Sequence, residues 1–260
     1  MSNGTASMLE VDSVSMRFGA LTVLEDVSFT VEPDQIFGLI GPNGAGKTTL
    51  FNCVSGLYKP STGHISYRGQ RIDRLPVHRR SRLGIARTFQ NLNLFGGLTV
   101  RQNLMVPIDV REKRGVLADA LRLPTSRFGE IRAEERADAI LHLLRLLDRR
   151  DRRADDLPVG LQRRVEIGRA LAQRPDLLLL DEPASGLDAG ETAELAELLP
   201  LIRDRLGVTI VLVDHDMALV LAVCDRICAL DFGQVLTIGS AAEVRNDPRV
   251  VASYLGRAPV

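Results

Sequence analysis

The residues best suited to chemistry begin at Gly41. The stretch Gly41-Pro42-Asn43-Gly44-Ala45-Gly46-Lys47-Thr48 has the spacing of a phosphate loop, and it follows directly on the apolar run Ile36 to Ile40. Glycines let several backbone N–H groups converge on phosphate oxygens, and a helix opening at Lys47 adds the positive potential of its N-terminus. Lys47 then reaches the outer phosphates, the Thr48 hydroxyl is available to Mg²⁺, and Thr49 beside it is counted with the nucleotide-binding residues. The run KTTLFNCVS, closed by Gly56, supplies the helix. Strand, glycine loop and helix in this order predict a nucleotide site.

A second pair of candidates stands where Leu177 to Leu180 run into Asp181-Glu182. A carboxylate at the end of such a strand can hold Mg²⁺ through its water shell, and the next one can polarise an attacking water. A third candidate is His215, in Val213-Asp214-His215, again just past an apolar run. Ligands of open parallel sheets bind outside the carboxyl ends of the strands, and all three places lie there.

The elements that must position these residues follow from apolar patterning. Ile36 to Ile40, Leu177 to Leu180, Val208 to Val213 and Ile227 to Leu230 are short and do not alternate, which predicts strands of a parallel sheet buried on both faces. Leu9 to Met16 and His64 to Ile72 alternate more and predict half-exposed antiparallel strands. Between about Thr99 and Leu171 the chain turns charge-dense, and Ile140, Leu143, Leu144 and Leu147 recur at helical spacing within residues 133–148. This predicts an inserted helical subdomain. The arginine-rich stretch 149–156 is expected to be a solvated loop, and Pro248 to Leu255 a last helix.

Composition bounds the rest. The chain has 260 residues, 45% apolar and 25% charged, the balance of a globular protein with a sizeable core. With 33 basic against 33 acidic side chains there is no global field to draw it onto nucleic acid or an anionic membrane. The start MSNGTASMLE lacks the pattern of a signal peptide, and no apolar run reaches the ~18 residues that span a bilayer. Cys53, Cys224 and Cys228 match no zinc spacing and are expected to be core thiols in a reducing compartment. His64 and His78 are read as surface or turn residues, and His142 as lying on the side of its helix.

With these motifs in place, the sequence resembles the ATP-binding subunits of ABC transporters over nearly its whole length. The resemblance implies that the loop at 41–48 and the segment Leu177 to Glu182 are Walker A and Walker B, with Asp181 toward Mg²⁺ and Glu182 as general base. It implies that Gln90, in ARTFQN, contacts Mg²⁺ and the attacking water and senses a transmembrane partner. His215 would contact the γ-phosphate, and Phe18, in MRFGALTVL, would stack on adenine. Ser185-Gly186-Leu187-Asp188 resembles the loop that crosses the dimer interface.

Leu157 to Gln162 resembles the signature segment, which presents Gly160 and Gln162 to the nucleotide of a second subunit. Here the chain departs from the family: Pro158 stands where a serine usually donates to the γ-phosphate. Gly160, backbone N–H groups and a helix N-terminus still favour an anion there. Within the family the chain is most similar to the branched-chain amino-acid subgroup. It shares a longer insertion (Val100 to Asp155), the form L-P-x-G-x-Q-R-R, and a tail, DPRVVASYLG at 247–256, ending in Tyr-Leu-Gly.

The fold so implied is α/β, a P-loop NTPase (RecA-like) core with a mainly parallel sheet between helices, an antiparallel β-subdomain and an inserted helical subdomain. It forms one cassette at 8–255: core at about 8–98 and 171–245, insert at 99–170, tail at 246–255. The function implied is ATP hydrolysis in a nucleotide-sandwich dimer, homo- or heterodimeric, using ATP and Mg²⁺. The partners implied are a second ATPase subunit, permease subunits and, indirectly, a periplasmic solute-binding protein, with no nucleic acid. The chain would sit at the cytoplasmic face of the membrane. Import of branched-chain amino acids is the expected transport. Urea or short amides, export or lipid transport, and a non-hydrolysing regulatory cassette are the alternatives. None of Lys47, Lys59 and Lys113 lies in a guanine-recognition motif, which argues against a GTPase. A small-molecule kinase would leave 157–171 and His215 without purpose.

Overall fold

The computed structural model describes residues 7–88, 93–112 and 124–255, which form two compact units. The first unit holds residues up to Arg87, then 176–185 and 189 onward. It contains two sheets. β1 (Leu9–Phe18), β2 (Leu21–Val31), β4 (Thr62–Tyr67) and β5 (Gln70–Arg71) form an antiparallel sheet in the order β2-β1-β4-β5. β3 (Ile36–Ile40), β6 (Ile85–Arg87), β7 (Leu177–Asp181), β8 (Thr209–Val213), β9 (Arg226–Asp231) and β10 (Gln234–Gly239) form the other, in the order β10-β9-β3-β8-β7-β6. Its strands are parallel except β10, which runs antiparallel to β9.

Every residue of β3, β7 and β8 is buried, as their unbroken apolar runs require. α1 (Lys47–Ser55) shares one core with both sheets: Leu9, Val27 and Val31 of the antiparallel sheet cluster with Phe37, Val211, Leu50 and Phe51. Phe29 and Phe37 stack with ring centroids 5.1 Å apart, joining the two sheets. The remaining helices of this unit are α2 (Val77–Arg82), α6 (Ala189–Leu206), α7 (Met217–Val223), α8 (Ala241–Asn246) and α9 (Pro248–Leu255). α9 has the bounds expected from sequence. No helix among the described residues is long and apolar enough to cross a membrane.

The second unit, 88–175 with 186–188, is helical. α3 (Val100–Glu112), α4 (Pro124–Leu143) and α5 (Val159–Leu171) pack together. Gly168 of α5 allows the close approach, since a Cβ there would lie 2.8 Å from Leu144 and 3.2 Å from Leu104. The helix expected to run to residue 148 stops at Leu143. Arg145 takes a left-handed conformation (φ 58°), its N–H donates to the His142 carbonyl, and Leu146 N–H donates to Leu141. This is the double hydrogen bond that closes helices, made without the usual glycine.

The stretch 149–156 is mostly exposed, as expected, but its backbone is tied down at several points. Val100 N–H donates to Arg152 O, Ala154 N–H donates to Leu98 O, and Asp138 accepts from both Arg101 and Arg150. These bonds fix the start of α3. Buried Asn103 adds to them, donating to Phe95 and Thr99 carbonyls at 3.0 Å and accepting from Phe95 N–H.

Candidate functional site

The glycine loop leaves β3 at Gly41 and enters α1 at Lys47. Gly46, the residue before the helix, has φ 99°, and a Cβ on it would stand 2.7 Å from the Leu24 side chain. Gly41 has φ 151°, and a Cβ there would meet the Leu230 carbonyl at 2.2 Å. Both positions exclude any other residue. Ala45 N–H donates to Pro42 O, and Gly233 N–H donates to Ala45 O, which ties the loop to the β9–β10 turn. Asn43, Gly44 and Thr48 are exposed, Thr49 is half-buried, and no side chain caps the α1 N-terminus. The Lys47 ammonium is buried and donates to Gly41 O (2.6 Å) and Pro42 O (3.1 Å). It thus lies inside the loop that its charge would help to load with phosphate.

The far end of α1 is held by Arg80. Its guanidinium is buried and donates to the Cys53, Val54 and Leu75 carbonyls. Desolvation lowers its pKa to about 10, so it still carries its charge at neutral pH, and that charge complements the helix C-terminus.

Sheet register sets the carboxylates beside the loop. β3 and β7 both pair with β8, Leu39 and Asp181 each opposite Val213, so three strand ends meet at one edge. Asp181 is buried and accepts from Arg87 at 2.7 Å. Glu182, half-buried, takes φ 46°, a costly conformation for a residue with a side chain. Its N–H donates to Val213 O at 2.7 Å and its carbonyl accepts from Ser185.

His215 follows at the end of β8 with its side chain 62% exposed and Nδ1 3.6 Å from an Asp214 oxygen. Asp214 is fully buried and accepts from the N–H groups of Ala184 and Asp216, both at 2.9 Å. Burial raises its pKa, against the opposing pull of those two N–H groups and His215. One side chain therefore pins the turn after Glu182 to the turn that carries His215. Asp214 and Arg87 were not singled out from sequence; the only signal for Asp214 was its place beside His215.

The other expected site residues are placed as follows. Phe18, 44% exposed at the end of β1, meets Tyr58 edge-on with centroids 5.5 Å apart, so it is not a core ring. Gly160, Gln162 and Asp188 belong to the helical unit. Pro158 is the residue before α5 and makes no side-chain cap; Gly160 is buried in the first turn, and the Gln162 amide donates to Leu157 O at 3.0 Å. Asp188 is exposed. Gln90 lies outside the described residues. The three cysteines are buried, with thiol pKa values raised by desolvation, to about 11 for Cys53 and about 12 for Cys228. They are core thiols, and no cluster of metal-ligating side chains occurs among the described residues.

Comparison with known proteins follows the same lines. A family described as ABC transporter matches residues 24–185, and one described as branched-chain amino acid ATP-binding cassette transporter matches residues 234–259. The high-affinity branched-chain amino acid transport ATP-binding protein LivG of Escherichia coli K12 is 42% identical over 96% of this chain and 98% of its own. Its counterpart BraF of Pseudomonas aeruginosa is 41% identical over the same shares. Among solved structures, the ADP conformation of an ATP-binding cassette of an ABC transporter superposes with a TM-score of 0.83. It is 28% identical over 96% of this chain and 99% of that one.

Proposed function

This chain belongs to the ABC transporter family, and we propose that it is the ATP-hydrolysing subunit of an importer of branched-chain amino acids. As a family member it uses ATP to drive transport through membrane permeases. The observation that carries the solute is the tail: residues 234–259 match the branched-chain family, and both named relatives are branched-chain amino acid transport proteins. The single cassette at 8–255 works with a second ATPase subunit at the inner face of the membrane, and a periplasmic binding protein delivers solute to the permeases.

The residues at the sheet edge fit the proposed nucleotide and its Mg²⁺. Backbone N–H groups of the glycine loop and the uncapped start of α1 bind phosphate oxygens, and Lys47 turns from loop carbonyls to the outer phosphates. Thr48 and Asp181 offer hydroxyl and carboxylate oxygens, the donors a hard cation takes, with Gln90 as a third. When bound, Mg²⁺ supplies charge neutralisation between the outer phosphates. Glu182, the residue after Asp181 and just past the end of β7, accepts the proton of the attacking water. His215, on the turn pinned by Asp214, donates to the γ-phosphate, and Phe18 stacks on adenine. Gly160, Gln162 and Asp188 of the partner subunit's copy close the site across the dimer.

Transport is the test. Proteoliposomes holding this chain with its permeases, and the binding protein on the opposite side, should take up labelled leucine, isoleucine and valine only when supplied with Mg-ATP. Uptake of urea or a short amide instead, or outward movement of lipid, would overturn the solute assignment. ATP-independent uptake would overturn the coupling.

A further inference from the structure

Arg87 is the last residue of the edge strand β6, and its guanidinium is engaged on several sides. Nη2 donates to Asp181 Oδ2 at 2.7 Å, and Nη1 donates to Asn52 Oδ1 and Ser55 Oγ, each at 2.7 Å. Its Cζ lies 4.9 Å from the centroid of the Phe51 ring. The Arg87 and Asp181 side chains are only 12% and 4% exposed. Phe51, Asn52 and Ser55 all belong to α1, the helix that opens at the phosphate loop, whereas Asp181 ends β7. One planar side chain thus joins the phosphate-loop helix to the strand end that carries the carboxylate.

An apolar brace would fill the same space without orienting anything. A guanidinium has a rigid fork of donors, and a carboxylate held by it loses rotational freedom about its own axis. We propose that Arg87 is a positioning residue for the divalent-cation site: it fixes the Asp181 carboxylate with respect to α1, and so with respect to Thr48 at the start of that helix. The proposal rests on the reading of Asp181 as the carboxylate that holds Mg²⁺. Nothing in it requires Arg87 to touch nucleotide or metal. Groups that orient a metal-binding side chain change metal affinity by about 10–100-fold when removed.

The experiment is binding, without turnover. A fluorescent, non-hydrolysable ATP analogue is titrated onto the full chain in EDTA and over a series of Mg²⁺ concentrations. Arg87→Met should raise the Mg²⁺ concentration needed for half-maximal tightening by about 10-fold or more, with binding in EDTA unchanged. Arg87→Lys should recover part of the loss, because an ammonium can pair with Asp181 but cannot grip both α1 oxygens at once. The double change Asn52→Leu with Ser55→Ala, which keeps the ion pair and frees it from α1, should fall between. An Arg87→Met protein with the parental Mg²⁺ dependence, or one that loses binding equally in EDTA, would overturn the proposal. Should Arg87→Met fail to fold, parental Mg²⁺ dependence in both other variants would overturn it equally. Asp181→Asn separates the two readings. If it keeps the parental Mg²⁺ dependence, Asp181 is not the metal-holding group. If it loses that dependence while Arg87→Met does not, only the positioning role fails.

Discussion

Asp214 shows how one buried side chain can hold two turns of the proposed site together. Its two oxygens accept from the Ala184 and Asp216 N–H groups, so its removal leaves one buried and one half-buried donor unmatched on the turns that follow Glu182 and carry His215. Each hydrogen bond to a charged acceptor contributes about 1.5–3 kcal/mol, offset in part by relief of the buried charge. Asp214→Ala should therefore destabilise the fold by about 2 kcal/mol, and lower ATP turnover by about tenfold as His215 loses its place. Chemical denaturation and a steady-state assay measure the two effects. The pH dependence has a definite sign. Burial raises the folded-state pKa of Asp214, so its titration adds stability below the ordinary carboxylate value of about 3.9 and loses it as pH rises through the folded value. The advantage of the parental protein over Asp214→Ala should accordingly shrink from acid toward neutral pH. An advantage that grows on that path would contradict the assignment of burial as the dominant cause.

Among elements, the start of α5 carries Pro158 where the resemblance leads one to expect a serine. Pro158 presets the backbone for the helix, but its ring accepts no hydrogen bond from the first turn. A serine there could accept an N–H of the first turn and, with its own proton, donate to a phosphate of the opposing subunit. Pro158→Ser should add about 1 kcal/mol to helix stability as an N-cap. In the proposed dimer it should also tighten ATP by about 1.5–3 kcal/mol. Thermal unfolding of the isolated subunit reads the first effect, and the ATP concentration for half-maximal dimerisation reads the second. If neither moves, the hydroxyl has no role at this helix.

The same element scale shows what the amino-acid order revealed and what it hid. The buried strands β3, β7 and β8, and α1 with its glycine stop, were legible because each is a short apolar run or a motif with fixed chemistry. β2 was not, because Asp26, with φ 52°, sits in a bulge that breaks the alternation, so that Leu24 and Val27 point inward three residues apart. The end of α4 was hidden because Arg145 adopts a conformation normally taken by glycine. At the site, Lys47, Asp181, Glu182 and His215 could be named from their order behind apolar strands. Arg87 and Asp214 could not, since their importance lies in partners 32 to 94 and 30 residues away.

For the molecule as a whole, the formal net charge is zero, so the assembly proposed above depends on local shape and on nucleotide rather than on a global field. The proposed site is divided: Lys47, Asp181, Glu182 and His215 stand at one sheet edge, while the segment 157–162 of each copy serves the nucleotide of the other. In that proposal ATP is the bond between subunits, and hydrolysis breaks it. Glu182→Gln removes the proposed proton acceptor and keeps the size and hydrogen-bonding reach of the side chain. It should nearly abolish turnover, leave ATP binding intact, and trap a stable ATP-bound dimer, visible as a doubled mass in light scattering with Mg-ATP and as a monomer without it. Should the dimer form only when a different ATPase subunit is added, the pair is a heterodimer. Should Glu182→Gln hydrolyse ATP at the parental rate, Glu182 is not the base, and its left-handed backbone at φ 46° serves the turn alone.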